Sequence, residues 1–193
     1  MKQRESRTIP GAELRIAPAA GGLRTIAGYA SLFNSPSRDL GGFTEVIMAG
    51  AFTKTLQESP RVPLLRDHRS EQVLANTAAG TLELAEDQRG LWFSATVDPT
   101  ITYVNDALRS IERGDLDGTS FSFTATKDSW SANHTRRSVH ECRLYECTIT
   151  SMPAYSETTT TLHARSDDPK RRLSRRKLWA ATLALYGRPN REI

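Results

Sequence analysis

Three residues set the chemical question: Ser120, His68 and Glu146. Ser120 lies in "GDLDGTSFSF" (114–123), where Ser120, Ser122 and Thr124 alternate with Phe121, Phe123 and Ala125. The alternation predicts a strand with one apolar face and one hydroxyl face. A serine on such a strand becomes a nucleophile when its oxygen is held still, meets a base, and has backbone N–H groups nearby for an oxyanion. His68 closes "RVPLLRDH", where an apolar strand meets a polar loop, so a rigid strand end would present its imidazole. Glu146 lies in "RLYECTIT". Alternation places Tyr145, Cys147 and Ile149 on one face and Leu144, Glu146 and Thr148 on the other. With the first set on the core side, Glu146 shares an outer surface with Ser120 if the two strands are neighbours. Serine, histidine and acid then make a nucleophile, a base and an orienting group, the set used for acyl transfer. Taken singly, Ser120 and His68 each also have an ordinary reading: a solvent-side strand serine and a surface histidine beside Asp67.

The other reactive types give less. His134 in "SANHTRR" and His163 near the start of the tail read as solvated. His140, Cys142 and Cys147 are close in sequence, but structural zinc wants a fourth ligand and paired spacings such as C-x2-C, so no metal is expected. Cys147 points to the core, where thiols are inert. Cys142 and Cys147 stand an odd number of positions apart, which predicts opposite strand faces, no disulfide and a reduced, cytosolic chain.

The elements that must hold these groups follow from the pattern. "ELRI" (13–16) and "LRTIAGYASLF" (23–33) read as a hairpin, and "GTLELAED" with "LWFSATVD" as a second around the turn "QRG". A short helix fits 50–58, stopped by Pro60. An amphipathic helix fits 103–113, with Val104, Ala107, Leu108 and Ile111 on one side, Thr102 as its cap and Gly114 at its end. The strand of Ser120 comes next, then a polar stretch to about 137, then "SVHECRLYECTITS" as one long strand or a pair. The order predicts a mainly β protein with peripheral helices: an antiparallel, nearly closed barrel of about seven strands, rather than βαβ units.

Composition bounds the partners. The 193 residues carry 38% hydrophobic and 25% charged side chains, as in soluble globular domains. The polar N-terminus has no apolar leader, and "LWAATLALY" (178–186) is too short to span a bilayer. Residues 165–193 hold nine Lys/Arg against three Asp/Glu, whereas 1–164 hold 17 against 19. A mildly acidic body argues against nucleic-acid binding, which only the basic tail would support. Three parts are expected: an N-terminal strand or arm (1–22), the barrel (23–163), and a basic flexible linker with a short C-terminal helix (164–193).

Seven pieces, "IAGYASLFN", "EVIMAGAF", "LLRDH", "RGLWFSATV", "GDLDGTSFSF", "LYECTIT" and "MPAY", stand in the order found in the prohead proteases of tailed phages. Over about residues 23–157 the chain resembles this head-maturation protease family of HK97-like phages, which is related in fold to the herpesvirus assembly proteases. The resemblance implies His68, of a "DH" pair, as general base, and Ser120, opening an "SFGF"-like strand, as nucleophile. It implies Glu146, of an "L-x-E" stretch, as third member, with His140 in that role if the chain follows the herpesvirus enzymes, which use a second histidine. Two departures stand out: Ser122 occupies the glycine position of "SFGF", and "MAGAF" replaces "PGAF". The first leaves Ser122 open as an alternative nucleophile. The implied activity is a cofactor-free serine endopeptidase that cuts the scaffolding segment of the major capsid protein, and itself, inside the immature prohead in the host cytoplasm. A homodimer is the implied oligomer. The competing reading is a catalytically silent capsid-binding scaffold built on the same barrel.

Overall fold

The structure is a computed structural model that describes residues 3–9, 13–58 and 61–151. Along these residues run β1 (Glu5–Ile9), β2 (Arg15–Pro18), β3 (Arg24–Leu32), β4 (Thr44–Ile47), α1 (Thr53–Gln57), β5 (Pro63–Arg66), β6 (Arg69–Asn76), β7 (Leu82–Glu86), β8 (Gly90–Val97), α2 (Thr102–Arg113), β9 (Gly118–Trp130) and β10 (Arg136–Thr150). One sheet has the order β1-β9-β10-β5-β6, with β4 also paired to β10, and the other β2-β3-β8-β7. The protein is therefore mainly β with few helices. The single, nearly closed antiparallel barrel is not what the pairing gives: among the described residues there are two sheets, and β10 has parallel neighbours. Length is the reason. At 15 residues, β10 holds β4 against Arg136–Val139 and β5 against Cys147–Ile149.

The hairpins β2–β3 and β7–β8 and both helices lie where the sequence pattern puts them. Gly114, at φ 79°, ends α2, but the residue preceding the helix is Ile101, and Thr102 is already its first residue. The polar stretch that follows the strand of Ser120 is the outer half of β9, paired back onto β10 as far as Trp130, and then a turn over 131–135 that holds His134. Two further strands carry little sequence signal. "ESRTI" forms β1, which runs antiparallel along β9 from Glu5 opposite Phe123 to Ile9 opposite Thr119. "RSEQVLAN" forms β6, the partner of β5. The tail from 164 onward, and His163 with it, lies outside the described residues.

Beneath β9 the core is aromatic. Phe121 and Phe123 are buried and stacked at 5.2 Å, and Phe52 meets Phe121 edge-on at 5.6 Å. The α1 region fixes β10: Ala51 accepts from the Cys142 N–H at 2.9 Å, and Thr55 Oγ1 from the Leu144 N–H at 3.2 Å. On the other flank, Arg137, Arg7, Glu5, Glu45 and Asp128 form an ionic network that ties β1 to β4, β9 and β10.

A bulge changes the face assignment on β10. Leu144 lies opposite Phe123 and Glu146 opposite Ser122, so Tyr145 is the extra residue. One inserted residue inverts the alternation on one side of it. Leu144, expected on the outer face, is therefore buried with Cys147 and Ile149, while Tyr145 is only half-buried and lies under the guanidinium groups of Arg4 and Arg143. The same insertion puts Cys142 and Cys147 on one face, contrary to their odd spacing. Both are free thiols in the core. Burial raises both thiols, Cys147 to about 12, so they stay protonated near neutrality. Among the described residues no helix is long and apolar enough to cross a membrane.

Candidate active site

Asp67 and His68 are the two residues of the turn between β5 and β6, closed by the pairing of Arg66 with Arg69. Both have positive φ, 49° and 58°, as a two-residue type I′ turn requires. Glycine would take this geometry without strain, and Asp and His are among the few other residues that tolerate it. The turn is fastened to the end of β10. The Asp67 N–H donates to the Ile149 carbonyl at 3.0 Å, and Asp67 Oδ1 accepts from Thr150 Oγ1 at 2.9 Å. His68 is thereby projected over the outer face of β10.

There its Nδ1 lies 2.6 Å from Glu146 Oε1. A carboxylate against Nδ1 selects the tautomer protonated on that nitrogen and leaves the Nε2 lone pair free, as a general base needs. Thr148 Oγ1 lies 3.3 Å from the same Nδ1. Glu146 has further partners: Ser122 Oγ donates to Oε1 at 3.2 Å, and Arg4 Nη2 to Oε2 at 2.5 Å. Ser6 Oγ is 2.7 Å from Ser122 Oγ. Since Ser122 gives its proton to Glu146, Ser6 donates to Ser122. Two strands thus place acceptors and donors around one carboxylate, and the bulge at Tyr145 aims it to the outer face.

Ser120 stands two pairs along the ladder, the next position on that face, opposite Thr148 on β10 and Thr8 on β1. Residues directly opposite have Cβ atoms about 4.5–5.5 Å apart, so Ser120 neighbours the threonine that touches the imidazole. The Ser120 side chain is fully buried, and its Oγ has no hydrogen-bond partner among the described residues. The structure therefore joins His68 to Glu146 and Ser122 to Glu146, but makes no hydrogen bond between Ser120 and His68. His140 is elsewhere. It is exposed and bonded to Ser129 at 2.8 Å, nine residues from Ser120 along β9, or about 30 Å of strand. Among the described residues no three His, Cys, Asp or Glu side chains come together as metal ligands.

Arg4, Ser6 and Thr148 are the residues that sequence reasoning did not assign. Alternation did put Thr148 on the right face, but nothing in a polar N-terminal stretch marks Arg4 or Ser6 as neighbours of residue 146. Beside the cluster runs a groove of about 440 Å³. Thr8 and Ile9 of β1, Leu32, Phe121, His68 and Thr150 are part of its wall, so it opens on the imidazole.

A hydroxyl, an imidazole and a carboxylate on one sheet face, beside a groove, are group types that acyl-transfer chemistry can use. Comparison with known proteins narrows the class. Residues 12–172 match the family model of the caudovirus prohead serine protease, and the chain belongs to that family. The prohead protease of Enterobacteria phage HK97 is 27% identical over 129 residues, covering 66% of this chain and 54% of the HK97 protein. The chain thus spans about half the length of that curated relative. In fold it is similar to the capsid assembly protease gp21 of bacteriophage T4, with a TM-score of 0.52 and 12% identity over 78% of this chain and 99% of that one.

Proposed function

We propose that this chain is a serine endopeptidase of capsid maturation, with Ser120 as nucleophile, His68 as general base and Glu146 as the group that orients it. The observation that carries this reading is the 2.6 Å contact between His68 Nδ1 and Glu146 Oε1, made two residue pairs along the ladder from Ser120, at the next position on the same sheet face. Ser120 is preferred to Ser122 on hydrogen bonding. The Ser122 hydroxyl is committed, donating to Glu146 and accepting from Ser6. The Ser120 hydroxyl is buried and uncommitted, which costs about 1–3 kcal/mol and is a tension that reaction partners relieve. Catalytic hydrogen bonds commonly tighten only when substrate binds.

In the reaction, Ser120 Oγ forms a bond to the scissile carbonyl carbon as its proton passes to His68 Nε2. The C–N bond then breaks, the amine leaves with that proton, and an acyl-enzyme remains. Water attacks it, again giving a proton to His68, and the acid product departs with Ser120 restored. Glu146 holds the ring and balances the imidazolium charge throughout. The groove beside His68 takes the polypeptide on one side of the scissile bond. The substrate, by kinship with proteins named for prohead and capsid assembly, is the scaffolding segment of the capsid protein, cut inside the immature shell.

Intact-mass spectrometry with an alkyl fluorophosphonate tests the assignment. The expected result is one adduct on wild type and on Ser122→Ala, and none on Ser120→Ala. An adduct on Ser120→Ala but not on Ser122→Ala would transfer the role to Ser122. The absence of any adduct would favour a catalytically silent capsid-binding module.

A further inference from the structure

We infer that Thr148 is a positioning residue of this site, its hydroxyl acting as the second anchor that fixes the plane of the His68 imidazole; the inference rests on the proposed roles of Ser120, His68 and Glu146. Three observations lead to it. First, Thr148 Oγ1 lies 3.3 Å from His68 Nδ1, while Thr148 is fully buried in the middle of the sheet. It is flanked by Leu65 of β5 on one side and by Ser120 of β9 on the other. A β-branched side chain on a buried central strand has little freedom at χ1, so its hydroxyl is a fixed point.

Second, the imidazole needs such a point. The His68 side chain is 38% exposed, at the tip of a two-residue turn. Among the described residues its hydrogen-bonding contacts are only Glu146 and Thr148. A ring held at one acceptor can swing about the N–H···O axis, and this carries Nε2 away from any nucleophile. A second acceptor makes Nδ1–H a three-centre donor and defines the ring plane.

Third, Glu146 is not a dedicated anchor. Its Oε1 is shared with Ser122, and its Oε2 is taken by Arg4, whose side chain is half exposed. Motion of that arginine, or of β1, is transmitted to the carboxylate and so to the ring. Thr148 takes no part in that shared network and is tied to the backbone of the strand opposite Ser120. It therefore keeps base and nucleophile in register while Glu146 adjusts.

The test compares Thr148→Val, which removes the hydroxyl at nearly constant volume, with Thr148→Ser, which retains it, in the full chain. Thr148→Ala repeats the hydroxyl loss without the added methyl. Two readouts are taken on protein whose thermal midpoint matches wild type. The first is the 1H–15N correlation of the His68 ring, which needs no catalytic activity. Wild type and Thr148→Ser are expected to show one tautomer, protonated on Nδ1, and Thr148→Val and Thr148→Ala a broadened or mixed signal. The second is the rate of fluorophosphonate labelling, expected to fall about 10- to 100-fold in Thr148→Val and to return to within about threefold of wild type in Thr148→Ser. A ring signal in Thr148→Val indistinguishable from wild type overturns the inference, as does Thr148→Ser behaving like Thr148→Val. A wild type that never labels at Ser120 would instead overturn the proposed function, and the ring signal would still decide whether Thr148 anchors the imidazole.

Discussion

The sheet that carries the site holds two polar clusters of similar make-up and different physics. Around Arg137, two guanidinium groups face three carboxylates: Arg137 reaches Glu5 at 2.8 Å, Glu45 at 3.0 Å and Asp128 at 2.9 Å, and Arg7 reaches Glu45 at 2.8 Å. Every member is a guanidinium or a carboxylate, Glu45 is buried, and each carboxylate meets a guanidinium. Around Glu146 one carboxylate faces an imidazole, the Ser122 hydroxyl with Ser6 behind it, and a single, half-exposed arginine. The members there are hydroxyls and a titratable ring, and one buried hydroxyl has no partner among the described residues. The first cluster is saturated and can only hold strands together. The second keeps a free lone pair and a free hydroxyl, and these are what chemistry requires.

The largest effect expected from this contrast is on activity alone. Glu146→Gln keeps the volume but presents an amide to Nδ1, which weakens the preference for the productive tautomer. On the proposed reading, cleavage of a capsid precursor should fall about 10³- to 10⁴-fold, roughly 4–5.5 kcal/mol of barrier, with little change in the thermal midpoint. A variant that cleaves within tenfold of wild type would remove Glu146 from the triad. It would also make the two clusters alike.

The opposite pattern is expected at Arg137. Arg137→Met leaves Glu5, Glu45 and Asp128 around Arg7 alone, in a site where the lost guanidinium was only one-tenth exposed. Removing one partner from a buried ionic group costs about 3–5 kcal/mol. Urea unfolding should show that loss, while the labelling rate per folded molecule stays within about threefold of wild type. A stability change below about 1 kcal/mol would mean that the network does not hold the strands.

How far this contrast was legible in the sequence depended on parity. The alternation through 120–125 assigned the two faces of β9 correctly, because the ladder shift between Ser122 and Phe123 is taken up by the extra residue Tyr145 on β10 and leaves β9 itself regular there. On β10 the same reasoning held from Glu146 to Ile149 and failed at Leu144 and Cys142, since the bulge at Tyr145 leaves no mark on composition. His68 was visible as a strand end, although the two-residue turn that aims it depends on backbone angles that Asp and His tolerate but do not announce. β1 and β6 escaped because each is an outermost strand of the sheet and has little apolar alternation to show. What β1 and the residue before it bring to the site was lost with it: Ser6 of β1 and Arg4 just ahead of it. His140 was a candidate through the likeness to enzymes that use a second histidine, but along an extended strand the six residues from His140 to Glu146 already span about 20 Å.

The smallest effect belongs to Arg4, the one feature that makes the clusters look alike. Its 2.5 Å contact with Glu146 resembles the arginine–carboxylate pairs of the other cluster, but its side chain is 52% exposed and also lies over the Tyr145 ring. An exposed ion pair is screened by solvent and contributes under about 1 kcal/mol. Arg4→Ala should therefore leave unfolding by urea within that margin. Glu146 keeps its contacts with His68 and Ser122 in this variant, so the labelling rate should change by less than about tenfold. The discriminating measurement is the pair of urea curves for Arg4→Ala and Arg137→Met under one buffer. If Arg4→Ala costs as much stability as Arg137→Met, the carboxylate of Glu146 is part of the structural framework, and the division between a saturated cluster and a reactive one fails at its boundary. If it costs little, arginine beside a carboxylate has two meanings in one sheet, set by how completely each partner is buried and how many other groups it satisfies.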